Sequence, residues 1–152
     1  MIKFLDLHKI NLPYQEAFHQ KMQDILDKGW FILGDEVNEF EKNFASFCQM
    51  EHCIGVANGL DAMVLVFRAH IELGNLNEGD EIIVPANTYI ASILAILQSG
   101  LKPVFVEPNI DSYNLDPSKI EENISPKTKG ILVVHLYGQL ANMDQIIDVA
   151  HK

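Results

Sequence analysis

Gly79-Asp80-Glu81-Ile82-Ile83-Val84-Pro85-Ala86-Asn87-Thr88-Tyr89 reads as a strand buried on both faces that ends in a polar turn and an aromatic residue. Its apolar run is continuous, not alternating, and Gly79-Asp80 and Pro85 bound it. Such runs belong to parallel sheets covered by helices on both sides. Upstream, Val56-Ala57-Asn58-Gly59-Leu60-Asp61-Ala62-Met63 has a related layout, an apolar run that turns sharply at Gly59 into a long apolar helix. That geometry aims free backbone N–H groups at a bound phosphate. A phosphate cradle followed by a flat ring, Tyr89, suggests a phosphorylated aromatic cofactor.

Outward from these segments, short apolar runs alternate with helical spacing from residue 53 onward, the pattern of an α/β fold. It predicts strands at 53–56, 81–84, 103–107 and 130–135, and helices at 60–73, 89–98, 117–124 and 143–150. Asp116 caps the third of these helices, with Pro117 at its first position. Ahead of residue 53, Tyr14, Phe18, Met22 and Ile25 stand at helical spacing and Gly29 closes the run, which predicts a helix over 13–28. A second helix over 35–48 takes Asp35 as its N-cap and carries the stripe Val37, Phe40, Phe44 and Phe47.

The 152 residues, 48% hydrophobic and 21% charged with a mean hydropathy of +0.06, are those of one ordinary globular domain. A net charge of -10 argues against a nucleic-acid surface. Arg68 is the only arginine, so no paired-arginine clamp for a dicarboxylate can be built. Cys48 and Cys53 lack CxxC spacing and are read as buried, reduced thiols, which places the chain in the cytoplasm. The apolar run around Ile93 and Leu97 falls far short of the roughly 20 residues that span a bilayer, so no membrane partner is expected. His8, His19, His52, His70 and His151 show no ligand spacing, and no metal is assigned.

Each candidate functional residue has a plain structural reading beside the chemical one. Gly59 can serve a tight strand-to-helix turn or a phosphate. Asp61 can complement the helix dipole. Tyr89 can be a helix-start aromatic or a ring platform, and Asn87 and Thr88 beside it add hydrogen-bonding groups at a strand end. His135, followed by Leu136-Tyr137-Gly138-Gln139, can be a buried histidine satisfied by a backbone carbonyl or a site residue. There is no G-x-G-x-x-G and no G-x-x-x-x-G-K-[ST], which disfavours nicotinamide and nucleoside triphosphate sites.

Taken in order, several landmarks resemble the amino-terminal part of the DegT/DnrJ/EryC1/StrS family of sugar aminotransferases. They are Phe4-Leu5-Asp6-Leu7, Gly29-Trp30-Phe31-Ile32-Leu33-Gly34, the Asn58-Gly59 turn with Asp61-Ala62, Gly79-Asp80-Glu81 with Val84-Pro85, Thr88-Tyr89, Asn114-Leu115-Asp116-Pro117, Lys127-Thr128-Lys129 and Val134-His135-Leu136-Tyr137-Gly138. The resemblance implies the large domain of a fold-type I aminotransferase, with a helical segment at 1–50 and a partial cofactor-binding α/β domain at 51–152. It implies pyridoxal 5'-phosphate, its phosphate at Gly59, Leu60 and Asp61 and its ring on Tyr89. Asn87, His135 and Tyr137 become candidates for the substrate side. Where relatives carry threonine or serine, Leu60 offers only its backbone N–H.

The resemblance further implies transamination of a dTDP-linked keto-deoxysugar at C-3, glutamate as amino donor, and a homodimer. Amination at C-4, or a dehydratase of the same family with histidine in place of the Schiff-base lysine, are the neighbouring outcomes. A non-catalytic α/β binding module is the alternative outside the enzymes. None of the ten lysines matches the Schiff-base motif, so that lysine and the aspartate for the pyridine nitrogen are expected beyond Lys152 and the chain is expected to be an inactive fragment on its own.

Overall fold

The computed structural model describes residues 3–151. They form two compact units that part between Gly55 and Val56. Met1, Ile2 and Lys152, the outermost positions of the two expected domains, lie outside the described residues.

The amino-terminal unit is helical. α1 (Leu7–Asn11) starts at Asp6, whose carboxylate accepts the Lys9 N–H, and a 3-10 turn (Leu12–Tyr14) leads into α2 (Gln15–Lys28). α2 stops at Gly29, which takes the left-handed conformation (φ 65°) that a glycine stop requires. α3 (Asp35–Phe47) has Gly34 as its N-cap. Asp35, expected there, is instead the first helical residue, where its charge complements the helix dipole. Along α3 the Phe40 and Phe44 rings stack at 5.6 Å, and Phe47 lies tilted against Phe44 at 6.3 Å.

Two expectations fail near the end of this unit. Residues 53–56 form no strand, and Ile54 is 79% exposed. The Gly55 N–H, which a ladder would use, donates instead to Glu41 Oε1 at 2.7 Å. The cysteines are not both buried: Cys48 is exposed and Cys53 half-buried. Cys48 is the C-cap of α3, off the end of the apolar stripe.

The second unit contains α4 (Gly59–Glu72), β1 (Glu81–Pro85), α5 (Ile90–Gln98), β2 (Lys102–Val106), β3 (Thr128–Ile131) and α6 (Met143–Ala150). The three strands are parallel, in the order β2-β1-β3. Side chains of β1 alternate between two cores, as a strand's geometry dictates. Ile82 and Val84 join Phe67 of α4, Leu76, Ala95 and Ile96 of α5, and Leu101. Ile83 joins Val106, Leu115, Ile120, Ala141 and Ile146 of α6 on the other face. The fold is α/β with a parallel sheet flanked by helices, as the continuous apolar run predicts.

β3 is shorter than the expected 130–135, and Pro85 explains why. Ile83 pairs with Ile131, and the Leu132 N–H reaches Ile83 O at 2.8 Å. The next bond in a parallel ladder needs an N–H on residue 85, and proline has none. The expected helix 117–124 is replaced by two 3-10 turns, Pro117–Lys119 and Glu121–Asn123. Asp116 does cap the first, accepting the Ser118 N–H at 3.0 Å. The Asn123 side chain donates to Lys119 O at 2.8 Å, the acceptor that α-helical bonding would claim for the Asn123 backbone. Among the described residues no helix is long and apolar enough to cross a membrane.

Candidate active site

Parallel strands send their carboxyl-terminal continuations to one rim, where ligands of open α/β sheets gather. The segments after Pro85, Val106 and Ile131 therefore share that rim. Arg68, late in α4, donates to Gln98 O at the end of α5 at 3.2 Å, and the Gly79 N–H just before β1 donates to Gly100 O at 2.8 Å, so the end of α4 lies toward the start of β1 and its own start lies toward the carboxyl-end rim.

At that start Asn58 is the N-cap. Its Oδ1 accepts the Asp61 N–H and its Nδ2 donates to Asp61 Oδ2, both at 3.0 Å. The cap uses the Asp61 N–H, so Gly59 and Leu60 supply the helix-start N–H groups that lack an intrahelical acceptor. Asn58 and Gly59 are exposed and a Cβ built on Gly59 meets nothing within 4 Å, so this end of the helix is open to solvent. Leu60 is half-buried and packs on the core around Val84, which holds the helix start against the sheet.

Tyr89 is the N-cap residue of α5, one position before the expected helix interior, with extended backbone and 77% of its surface exposed. Such a ring is not core packing. Behind it the half-buried Thr88 hydroxyl donates to Ser92 Oγ at 2.9 Å and braces the first turn. Asn87 is exposed, and its Nδ2 donates to Tyr113 O at 3.0 Å, tying this turn to the segment after β2.

His135 departs from the buried reading. It is exposed, and its Nδ1 accepts the Ala141 N–H at 3.2 Å rather than donating to a carbonyl. In the neutral ring that bond puts the proton on Nε2. Tyr137, in the 3-10 turn Leu136–Gly138, has φ 53° and is 99% exposed. Among the described residues no group of three or more His, Cys, Asp or Glu side chains is arranged to hold a metal.

A cavity of about 660 Å³ runs between α4 and β3, lined by Met63, Val66, Phe67, His70, Lys129 and Ile131 among others. None of the candidate residues above lines it. The structural roles of two polar residues of the rim, Asn58 and Asn114, escape a reading of the sequence. Asn58 could have been recognised as a cap from its place just before the helical run. Asn114 carries no local signal, because its burial at 2% exposure is decided by partners more than twenty residues away.

Residues 13–152 match the DegT/DnrJ/EryC1/StrS aminotransferase family, and the chain belongs to it. Among particular relatives, it is 56% identical over 152 residues to the dTDP-3-amino-3,6-dideoxy-alpha-D-galactopyranose transaminase of Aneurinibacillus thermoaerophilus, covering 100% of this chain and 41% of that protein. It is 41% identical over 151 residues to the dTDP-3-amino-3,4,6-trideoxy-alpha-D-glucose transaminase of Streptomyces venezuelae, covering 99% of this chain and 39% of that one. The solved structure of S. venezuelae DesV in complex with a ketimine intermediate superposes with a TM-score of 0.87 at 41% identity, over 99% of this chain and 39% of that one. The chain thus spans about two fifths of the length of the curated relatives it matches.

Proposed function

We propose that this chain is the cofactor-binding portion of a cytoplasmic, pyridoxal 5'-phosphate-dependent aminotransferase that aminates C-3 of a dTDP-linked keto-deoxysugar, with glutamate as donor, in a homodimer. The observation that carries it is the pairing, on one sheet rim, of an open helix start at Gly59 and Leu60 with the exposed ring of Tyr89. A phosphate dianion suits the first, through two N–H donors and the helix dipole. A pyridine ring suits the second. The C-3 and dTDP parts follow the two relatives above, both named for 3-amino dTDP sugars.

The residues present fit the cofactor's two ends. Gly59 and Leu60 bind the phosphate through backbone N–H groups, and Asp61 is held back by Asn58 so that its carboxylate is paired with an amide. Tyr89 orients the ring by stacking. His135 and Tyr137 stand on the continuation of β3 and are assigned, together with Asn87, to the sugar side. When bound, the cofactor supplies the electron sink that amino transfer needs. The lysine and aspartate that the chemistry also requires are assigned to sequence outside these 152 residues.

Equilibrium dialysis of pyridoxal phosphate against this chain and against a version extended to the relatives' length tests the proposal. The extended protein should bind it, and Tyr89→Ala should weaken binding about threefold to tenfold, the worth of one aromatic stack. It should then aminate a dTDP-linked 3-keto-6-deoxyhexose in preference to the 4-keto isomer. Cofactor affinity indifferent to Tyr89 removes the stacking role, and preference for the 4-keto isomer overturns the C-3 assignment.

A further inference from the structure

Asn114 is buried at 2% exposure although its side chain is a carboxamide, a group that buries only when its hydrogen bonds are made. Both of its bonds go to one short segment. Nδ2 donates to Gln139 O at 3.0 Å, and Oδ1 accepts the Leu136 N–H at 2.9 Å. These two atoms bracket Tyr137 and Gly138, at φ 53° and 77°. Two successive residues in the left-handed region are an unfavourable local conformation when the first is a tyrosine. The Tyr137 ring, almost wholly exposed, adds no packing of its own to hold it there.

Asn114 is itself fixed from several sides. Its carbonyl accepts the Asn109 N–H at 2.8 Å, and Asn109 Oδ1 accepts the N–H groups of Asp111 and Ser112. Pro108 and Leu115 form an antiparallel bridge, and Leu115 is sunk in the core beside Ile83. The neighbouring carbonyl of Tyr113 receives the Asn87 side chain.

We propose that Asn114 is a positioning residue, a two-armed clamp that imposes the left-handed turn at Tyr137-Gly138 and so sets where Tyr137 stands relative to the Asn87–Tyr89 side of the rim. The functional weight of the clamp rests on the assignment of the rim as cofactor and sugar site, but its geometry does not. Only asparagine among residues of this size donates one hydrogen bond and accepts another from adjacent atoms. Aspartate keeps the acceptor and loses the donor; leucine loses both.

Residue-resolved amide hydrogen exchange on the whole chain at pH 7 separates these cases. Asn114→Leu should accelerate the Leu136 amide about tenfold or more, with Gly138 and Gln139 following, while Ile83 in β1 stays unchanged. Asn114→Asp should speed Gln139 and Ala141 and leave Leu136 within about threefold of the parent. Chymotrypsin cleavage after Tyr137 should rise in the same order. Unchanged Leu136 exchange in the leucine variant, equal acceleration throughout the sheet, or identical patterns in the two variants overturns the clamp. If the leucine variant does not fold, the aspartate variant decides alone, since loss of protection at Leu136 there contradicts the retained acceptor. A failure of cofactor binding in the dialysis experiment with the exchange pattern intact would overturn the functional assignment and leave the clamp standing.

Discussion

The two units of this chain differ in what their apolar faces meet. In the second, β1 is enclosed: Ile82, Ile83 and Val84 each lose nearly all contact with solvent to two separate clusters. In the first, the stripes of α2 and α3 are just as regular, yet Ala45 is the one buried residue among those described, and Phe18, Met22, Phe40, Phe44 and Phe47 stay exposed. Periodicity therefore marks a face that needs cover without saying what covers it. A helix forms with its face bare because its hydrogen bonds are internal, whereas a strand borrows its bonds from neighbours. This is why α2 and α3 exist without a core while 53–56 does not become a strand.

The largest effect that can break this contrast is a matched pair of truncations. Ile83→Ala should destabilise the chain by about 2–5 kcal/mol, the range for emptying a close-packed site. Ile54→Ala, in the run that found no partner, should stay within about 0.5 kcal/mol. Urea unfolding of both variants measures the difference, and equal costs would mean that 53–56 is covered in solution after all. Phe44→Ala should fall between them, since its ring stacks on Phe40 but remains half in water.

A smaller effect sharpens the point at the start of α4, where order rests on one local cap. Asn58→Ala removes the acceptor for the Asp61 N–H and should cost about 1 kcal/mol. Asn58→Asp keeps an acceptor at the positive end of the helix but turns a carboxylate toward Asp61 Oδ2, to which the Asn58 amide donates at 3.0 Å, and should restore only part of it. Thermal unfolding of the three proteins at one ionic strength reads this directly. A loss in the alanine variant as large as that of Ile83→Ala would show that the cap organises the sheet as well as the helix.

What could be read from residues alone follows the same division. The strand at β1, the helices α2 to α6 and the glycine stop at Gly29 were legible because each is written in a local pattern: a run, a stripe or a terminator. The missing strand at 53–56 was not, because a strand's existence depends on a partner far away in sequence. Residues 117–124 were misread as one helix because Asn123 competes for the Lys119 carbonyl, a detail of side-chain reach that periodicity does not carry. In the site, Gly59 was visible as a turn into a helix and Tyr89 as an aromatic after a strand, although the strand expected before Gly59 does not form. The exposure of His135 and the burial of Asn114 are set by the loop of residues 135–141 folding back on residues 109–115, and no local rule encodes that.

The weakest interaction to test lies wholly in the uncovered unit. Lys28 Nζ lies 2.7 Å from Glu36 Oε1, with Asp35 Oδ2 farther off at 3.9 Å. The hydrogen bond to Glu36 raises the Lys28 ammonium above its ordinary value of 10.5. The same bond, helped by the Glu36 backbone N–H, lowers the Glu36 carboxyl below 4.5. The carboxyl's contribution to stability is present above its unfolded-state value and is lost as pH falls through the lowered folded-state one. The ammonium's is present below its unfolded-state value and is lost as pH rises through the raised folded-state one. The pair therefore contributes over the whole neutral range, weakly, because water and salt reach it. Glu36→Gln should lower stability slightly near pH 7, and the gap from the parent should close as pH falls to about 3 and shrink in high salt. The cost of Ile83→Ala, by contrast, should follow neither pH nor salt, since no charge is involved. A Glu36→Gln deficit that persisted unchanged in acid would mean that the side chain acts through packing and not through its charge, and the first unit would then have more of a core than its exposed aromatics show.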